Sequence, residues 1–345
     1  MTVTTDQTVA IRHLLRDTDL TKPAYQQLLA EAALLKLEKE AGLIQPRLVG
    51  RDIVVIFEKP STRTRSAFEV ALHDEGAGCT YMDSAGSHLG SAESFEDTAK
   101  VLSRFYDGIA YRGFAQSAVD ALAEHASIPV WNALTNDWHP TQALADMLTM
   151  METSSKPLRD ISVSFLGDGR NNVARSLMTS AAILGMDVRI AAPPPLQPDA
   201  AAVLEVQQLA VQSGARVLIT ADVEPAILGT DFLYTDVWVS MGESDALWDQ
   251  RVPLLKPYRI DASMMARTRN PKTQFLHCLP SIHDRSTDLG ARIWDRYALD
   301  GAEVSNEVFS SPASRVFDQA ENRMHTIKAV ILASLASTPG PSKGR

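Results

Sequence analysis

The chain has 345 residues, 45% of them hydrophobic and 22% charged, which suits a packed protein of two ordinary domains. A formal net charge of −9 argues against a nucleic-acid or membrane-surface role. The two cysteines, Cys79 and Cys278, form no disulfide framework, so a reducing, cytoplasmic setting is expected. The stretch Met1 to Leu20 lacks an apolar signal-peptide core, and no apolar run approaches the roughly 20 residues of a membrane span.

From the N-terminus, strand-like runs alternate with helical patterns. Strands are predicted at 52–57, 80–83, 108–111, 129–132, 162–166, 188–191, 216–220, 232–235 and 274–278. Amphipathic helices are predicted at 25–41, 66–72, 94–105, 118–125, 173–184 and 199–213. This alternation specifies an α/β fold with two doubly wound parallel-sheet domains joined by long helices. The join falls near residue 150, where His139-Pro140 opens a long helix through Met151. The triple proline Pro193–Pro195 reads as a rigid surface turn. A long irregular stretch is expected before a last helix at 322–335. The Pro/Gly/Ser-rich tail, 337–345, is expected to be disordered.

The most telling segment is Phe57-Glu58-Lys59-Pro60-Ser61-Thr62-Arg63-Thr64-Arg65-Ser66. A buried strand runs into a Ser/Thr-rich turn that opens a helix. The first backbone N–H groups of a helix lack partners within it, and the helix dipole adds positive potential there. Such an end suits an anion, phosphate above all. Two arginines add planar forks for phosphoryl or carbonyl oxygens. The alternative reading is a well-capped helix with solvated arginines. Arg112 closes a later strand, and ligands of open parallel sheets bind outside such carboxyl ends. His139 and Gln142, three residues apart at a helix start, share a face and could address a carbonyl or carboxamide; a simple capping pair is the alternative.

In the second half, Gly167-Asp168-Gly169-Arg170-Asn171-Asn172 follows a strand, but Val173 and Ala174 stand where a dinucleotide fingerprint needs its third glycine. The asparagines could serve a small polar ligand instead. Asp236 and Ser240 lie just past another strand, where a carboxylate and a hydroxyl suit an ammonium group; Asp236 could equally be a turn cap. His277-Cys278-Leu279-Pro280 closes a further strand. Strand alternation would send His277 and Cys278 to opposite faces, which argues against a shared metal.

Together these motifs resemble the aspartate/ornithine carbamoyltransferase family, from about Leu14 to Leu335. Ser61–Arg65 is similar to the carbamoyl-phosphate loop of that family, and His139-Pro140-Thr141-Gln142 to its second shared motif. Asp236–Gly242 and His277–Pro280 resemble the ornithine-type signatures. Glu321–Thr326 resembles the C-terminal element that returns to the first domain. The resemblance implies a carbamoyl-phosphate domain over residues 1–150 plus 322–345 and an ornithine domain over 151–321.

It further implies that Ser61, Thr62, Arg63, Thr64, His88, Arg112, His139, Pro140, Thr141, Gln142 and Arg323 surround carbamoyl phosphate. His88 stands where many bacterial members carry Gln, on a loop that in this family reaches a neighbouring subunit. Asn172, Asp236, Ser240 and Met241 would hold the amino-acid end of ornithine, with Cys278 and Leu279 where the amine meets the carbamoyl carbon. Arg63, Arg112, His139 and Cys278 are the expected catalytic groups. The implied reaction moves the carbamoyl group of carbamoyl phosphate to the δ-amino group of L-ornithine, giving L-citrulline and phosphate within arginine metabolism. It needs no metal or organic cofactor. The implied assembly is a homo-oligomer, most simply a trimer. The rival readings are a carbamoyltransferase for another amine, a non-catalytic paralogue, and a nicotinamide oxidoreductase.

Overall fold

The structure is a computed structural model that describes residues 11–83, 93–240 and 242–336. His88 and its loop, Met241 and the tail 337–345 lie outside the described residues. In chain order the elements are α1 (Lys22–Glu40), β1 (Asp52–Phe57), α2 (Thr62–Asp74), β2 (Gly78–Asp83), α3 (Phe95–Phe105), β3 (Gly108–Arg112), α4 (Gln116–His125), β4 (Val130–Leu134) and α5 (Pro140–Thr153). There follow β5 (Ser162–Leu166), α6 (Asn172–Leu184), β6 (Asp187–Ala191), α7 (Ala200–Ser213), β7 (Arg216–Thr220), α8 (Val223–Ile227) and β8 (Phe232–Thr235). The chain continues with α9 (Trp248–Leu255), α10 (Ala262–Arg267), β9 (Gln274–His277), α11 (Asp288–Tyr297), α12 (Asn306–Phe309) and α13 (Val316–Ala336).

Two compact units result. Among the described residues, the first comprises 11–148 and 321–336 and the second 149–320. The first holds a parallel sheet in the order β2-β1-β3-β4. Its inner strand β1 is buried on both faces over Ile53–Phe57, which is why it reads as an unbroken apolar run. Each such side chain contributes roughly 1.5–3 kcal/mol on burial. The strand order reverses between β1 and β3. Ligand crevices of open α/β sheets form at the carboxyl ends of strands at such a reversal.

The second unit holds a parallel sheet in the order β7-β6-β5-β8-β9. Here the reversal falls between β5 and β8, so the turns after those two strands mark its crevice. The helices are delimited by their caps. Ser61, Ser94, Asn171 and Asp199 each accept the backbone N–H three residues on, a contact typically worth about 1 kcal/mol. Gly185 ends α6 with φ +84, a left-handed conformation that glycine adopts without steric cost.

The helix α13 is tied to the first unit by buried charge. Lys328, 2% exposed, donates to Asp74 Oδ2 at 2.8 Å, and Lys39 of α1 donates to the same oxygen at 2.6 Å. Asp74 closes α2, so one carboxylate joins three helices. Breaking a buried pair by removing one partner costs about 3–5 kcal/mol. This anchor fixes the helix that carries Arg323.

One expectation fails: the stretch between β9 and α13 is not irregular throughout, because α11 and α12 lie within it. Among the described residues no helix is long and apolar enough to cross a membrane.

Candidate active site

In the first unit the anion-binding turn is formed as its sequence specifies. Ser61 is the N-cap of α2 and its hydroxyl accepts Thr64 N–H at 3.2 Å. Thr62 and Arg63 form the first turn, Thr62 exposed and Arg63 half-buried. Thr64 is buried, and its hydroxyl gathers two guanidinium groups: Arg323 Nη2 donates at 2.7 Å and Arg112 Nη1 at 3.4 Å. Arg323 is 259 positions away in sequence. The helix start after β1, the end of β3 and α13 therefore meet at one hydroxyl, at the reversal point of the sheet.

His139 is 3% exposed and sits immediately before α5. Burial holds its imidazole well below the usual histidine range, and the positive charges of Arg323, Arg112 and Arg63 depress it further. It is a neutral ring at neutral pH, with one N–H to donate. Thr141 Oγ1 lies 3.4 Å from His139 Nδ1. Pro140 occupies the first position of α5, where a missing N–H costs nothing. Gln142 is buried and its amide donates to Asp146 Oδ1 at 2.8 Å, one turn on. The structure thus brings Arg63, Arg112, His139 and Arg323 into electrostatic contact and leaves Gln142 supporting the helix start. Lys59, also buried, donates to Asn136 Oδ1 at 2.6 Å; burial, then the charge of Arg112, lowers its pKa.

In the second unit Asp236, 7% exposed, follows β8. Its Oδ2 accepts from Asn171 Nδ2 at 3.0 Å; its Oδ1 accepts Val237 N–H at 2.8 Å and the Cys278 thiol at 3.0 Å. Burial raises its pKa, against the charge of His277 and the hydrogen bonds from Cys278 and Val237. Asn172, the neighbour of Asn171, begins α6 and is half-buried. Ser240 is half-buried, and its N–H donates to Glu243 Oε2 at 2.7 Å.

The expected separation of His277 and Cys278 is overturned. The strand ends at His277, and Leu279 takes φ +58, so alternation no longer governs Cys278. Asp236, His277 and Cys278 each place a ligand atom within 4.8 Å of the others, a donor set that could hold a metal ion. Those atoms are engaged with protein. The thiol donates to Asp236, and His277 Nδ1 accepts Leu279 N–H at 2.9 Å. His277 Nε2 lies 3.2 Å from Glu303 Oε1. His277 and Glu303 are both fully buried. Glu303 also accepts Ile282 N–H at 2.6 Å, so the pair braces the Cys278-Leu279 turn from both sides.

Residues 12–152 match the family described as aspartate/ornithine carbamoyltransferase, carbamoyl-P binding domain. Residues 159–334 match its Asp/Orn binding domain. A curated relative from Actinobacillus pleuropneumoniae serotype 5b, an ornithine carbamoyltransferase, is 52% identical over 94% of this chain and 98% of its own. The solved ornithine carbamoyltransferase of Pyrococcus furiosus is similar at 35% identity and a TM-score of 0.88, covering 97% of this chain and 100% of that one. That of Thermus thermophilus is 37% identical with a TM-score of 0.77, covering 94% and 98%. The chain belongs to the aspartate/ornithine carbamoyltransferase family.

Proposed function

We propose that the chain transfers the carbamoyl group of carbamoyl phosphate to the δ-amino group of L-ornithine, releasing L-citrulline and phosphate. The observation that carries this reading is the cluster of Arg63, Arg112 and Arg323 around Thr64 and His139 at the start of α2. It concentrates positive charge inside an acidic protein, as a dianionic mixed anhydride requires. Ser61, Thr62, Arg63, Thr64, Arg112, His139, Pro140, Thr141, Gln142 and Arg323 are the proposed carbamoyl-phosphate residues. Arg63 and neutral His139 donate to the carbonyl oxygen as charge grows on it, and Arg112 and Arg323 hold the phosphate that departs. Donors aimed at such an oxygen are typically worth about 3–4 kcal/mol each.

In the second unit Asp236 pairs with the α-ammonium of ornithine, and Asn172 and Ser240 complete the amino-acid end. An ammonium beside Asp236 favours the ionised carboxylate and reverses the effect of burial on it. Cys278 and Leu279 line the amine end. The attacking amine must be neutral, against an ordinary value of about 10.4 for such a group. His88 and Met241 belong to the proposed sites as well and lie outside the described residues.

Similarity to ornithine carbamoyltransferases supports this amine over putrescine or lysine. The decisive assay follows a carbamoyl label from carbamoyl phosphate into product with ornithine as acceptor.

The proposed assembly is a homotrimer with shared sites, in the cytoplasm. If Arg63→Ala and His88→Ala subunits are each inactive, mixing them should restore partial activity, because some interfaces then join two intact halves. Mixed trimers that stay inactive at every ratio would exclude sharing through the His88 loop.

A further inference from the structure

Behind the amino-acid site of the second unit lies a charge network that the reaction as described does not use. Arg251 projects from α9 and its side chain is 7% exposed. Its Nη1 donates to Asp168 Oδ2 at 2.6 Å, and its Nη2 to Glu243 Oε1 at 3.3 Å. Asp168 is buried in the turn after β5. Its carboxylate also accepts Arg170 N–H at 3.1 Å and the Arg170 guanidinium at 3.1 Å on both oxygens. The Asp168 carbonyl accepts Asn171 N–H at 3.4 Å, and Asn171 donates to Asp236. On the other side Glu243 accepts Ser240 N–H through Oε2, the oxygen not engaged by Arg251.

One guanidinium therefore joins two short segments. One carries Asn171, and the other begins at Ser240. Both flank Asp236 at the reversal point of the sheet. A guanidinium can donate to two carboxylates in fixed directions, whereas a lysine ammonium has no such fork. Burial of Arg251 and Asp168 fixes that half of the link, since a desolvated ion must keep its partners, while Glu243 lies at the surface.

We propose that Arg251 is a positioning residue for the amino-acid end of the acceptor substrate. It touches no reacting atom; it sets the spacing of Asn171 and Ser240 about Asp236 by holding Asp168 and Glu243 together. The inference rests on the reading of this unit as the ornithine site. Groups that hold a contacting residue from behind, as measured at metal sites, alter affinity by about 10–100-fold when removed. Misplacement by about an ångström carries a comparable cost.

Steady-state kinetics of Arg251→Met, Arg251→Lys and Glu243→Gln test it, with melting followed in parallel. Arg251→Met should raise the KM for ornithine by about tenfold or more and leave the KM for carbamoyl phosphate unchanged. Arg251→Lys should fall between it and wild type, because one carboxylate can still be held. A purely structural arginine would lower the melting temperature and leave the ornithine KM alone, and that result overturns the proposal. If Arg251→Met does not fold, Glu243→Gln decides. It spares the Asp168 pair and weakens only the link to Ser240, so a raised ornithine KM at unchanged melting supports the proposal and an unchanged KM overturns it. Failure of the substrate assignment is separately visible: wild-type protein would make no citrulline, and the same comparison would be run on the amine it does carbamoylate.

Discussion

Arg63→Ala is expected to lower kcat by on the order of a hundredfold or more, with both substrates saturating and the fold intact. Arg63 is the second residue of α2, half-buried, with its charge acting on buried His139. In the proposed mechanism it donates to the oxygen on which charge develops, so its loss should appear in kcat more than in KM. Helix stability should not suffer, because alanine is the better helix former. Arg63→Lys should recover only part of the rate, since an ammonium keeps the charge without the planar fork. Stopped-time assays of citrulline formation beside a thermal melt read both quantities. A kcat near the wild-type value would make the α2 turn a well-capped helix start and nothing more.

Ornithine is expected to exceed putrescine by at least about two orders of magnitude in kcat/KM. The two amines share the reacting end and differ in the α-carboxylate and α-ammonium. Asp236 is buried, held by Asn171, Val237 and Cys278, and its pKa is raised by that burial. In the proposed site a substrate ammonium adds positive charge beside that carboxylate. Putrescine, without the α-carboxylate, leaves the polar groups meant for it desolvated and unmatched, and such sites discriminate far more strongly than apolar pockets do. Comparable values for the two amines would rule out an amino-acid site at Asp236.

Much of this arrangement is legible in the chain itself, for physical reasons. The inner strands are buried on both faces, so they appear as continuous apolar runs such as Ile53–Phe57. Expected strand and helix limits differ from the observed ones mainly at the ends. Ser94 and Asp199, read as first helical residues, are the caps before α3 and α7. The segment between β9 and α13 was hidden because α12 is only four residues long and α11 carries Gly290 in its first turn. That glycine has a local cause: a Cβ there would lie 2.2 Å from the Asp284 carbonyl oxygen.

At the site, groups that act within one turn could be read from the sequence, and groups that act across it could not. Ser61 to Thr64 announce themselves by composition. Arg251 reaches Asp168 across 83 positions, and Glu303 approaches His277 from another segment, so neither carries a local signal. Cys278 was misassigned for a different reason. Alternation holds only while the strand lasts, and β9 ends one residue earlier.

The most direct measurement uses carbamoyl phosphate labelled with carbon-13 in the carbonyl, incubated with the protein and each of ornithine, lysine and putrescine. The label is expected in the ureido carbon of citrulline, with one phosphate released for each citrulline formed and far slower labelling of the other amines. Phosphate release without labelled citrulline, or faster labelling of another amine, would contradict it.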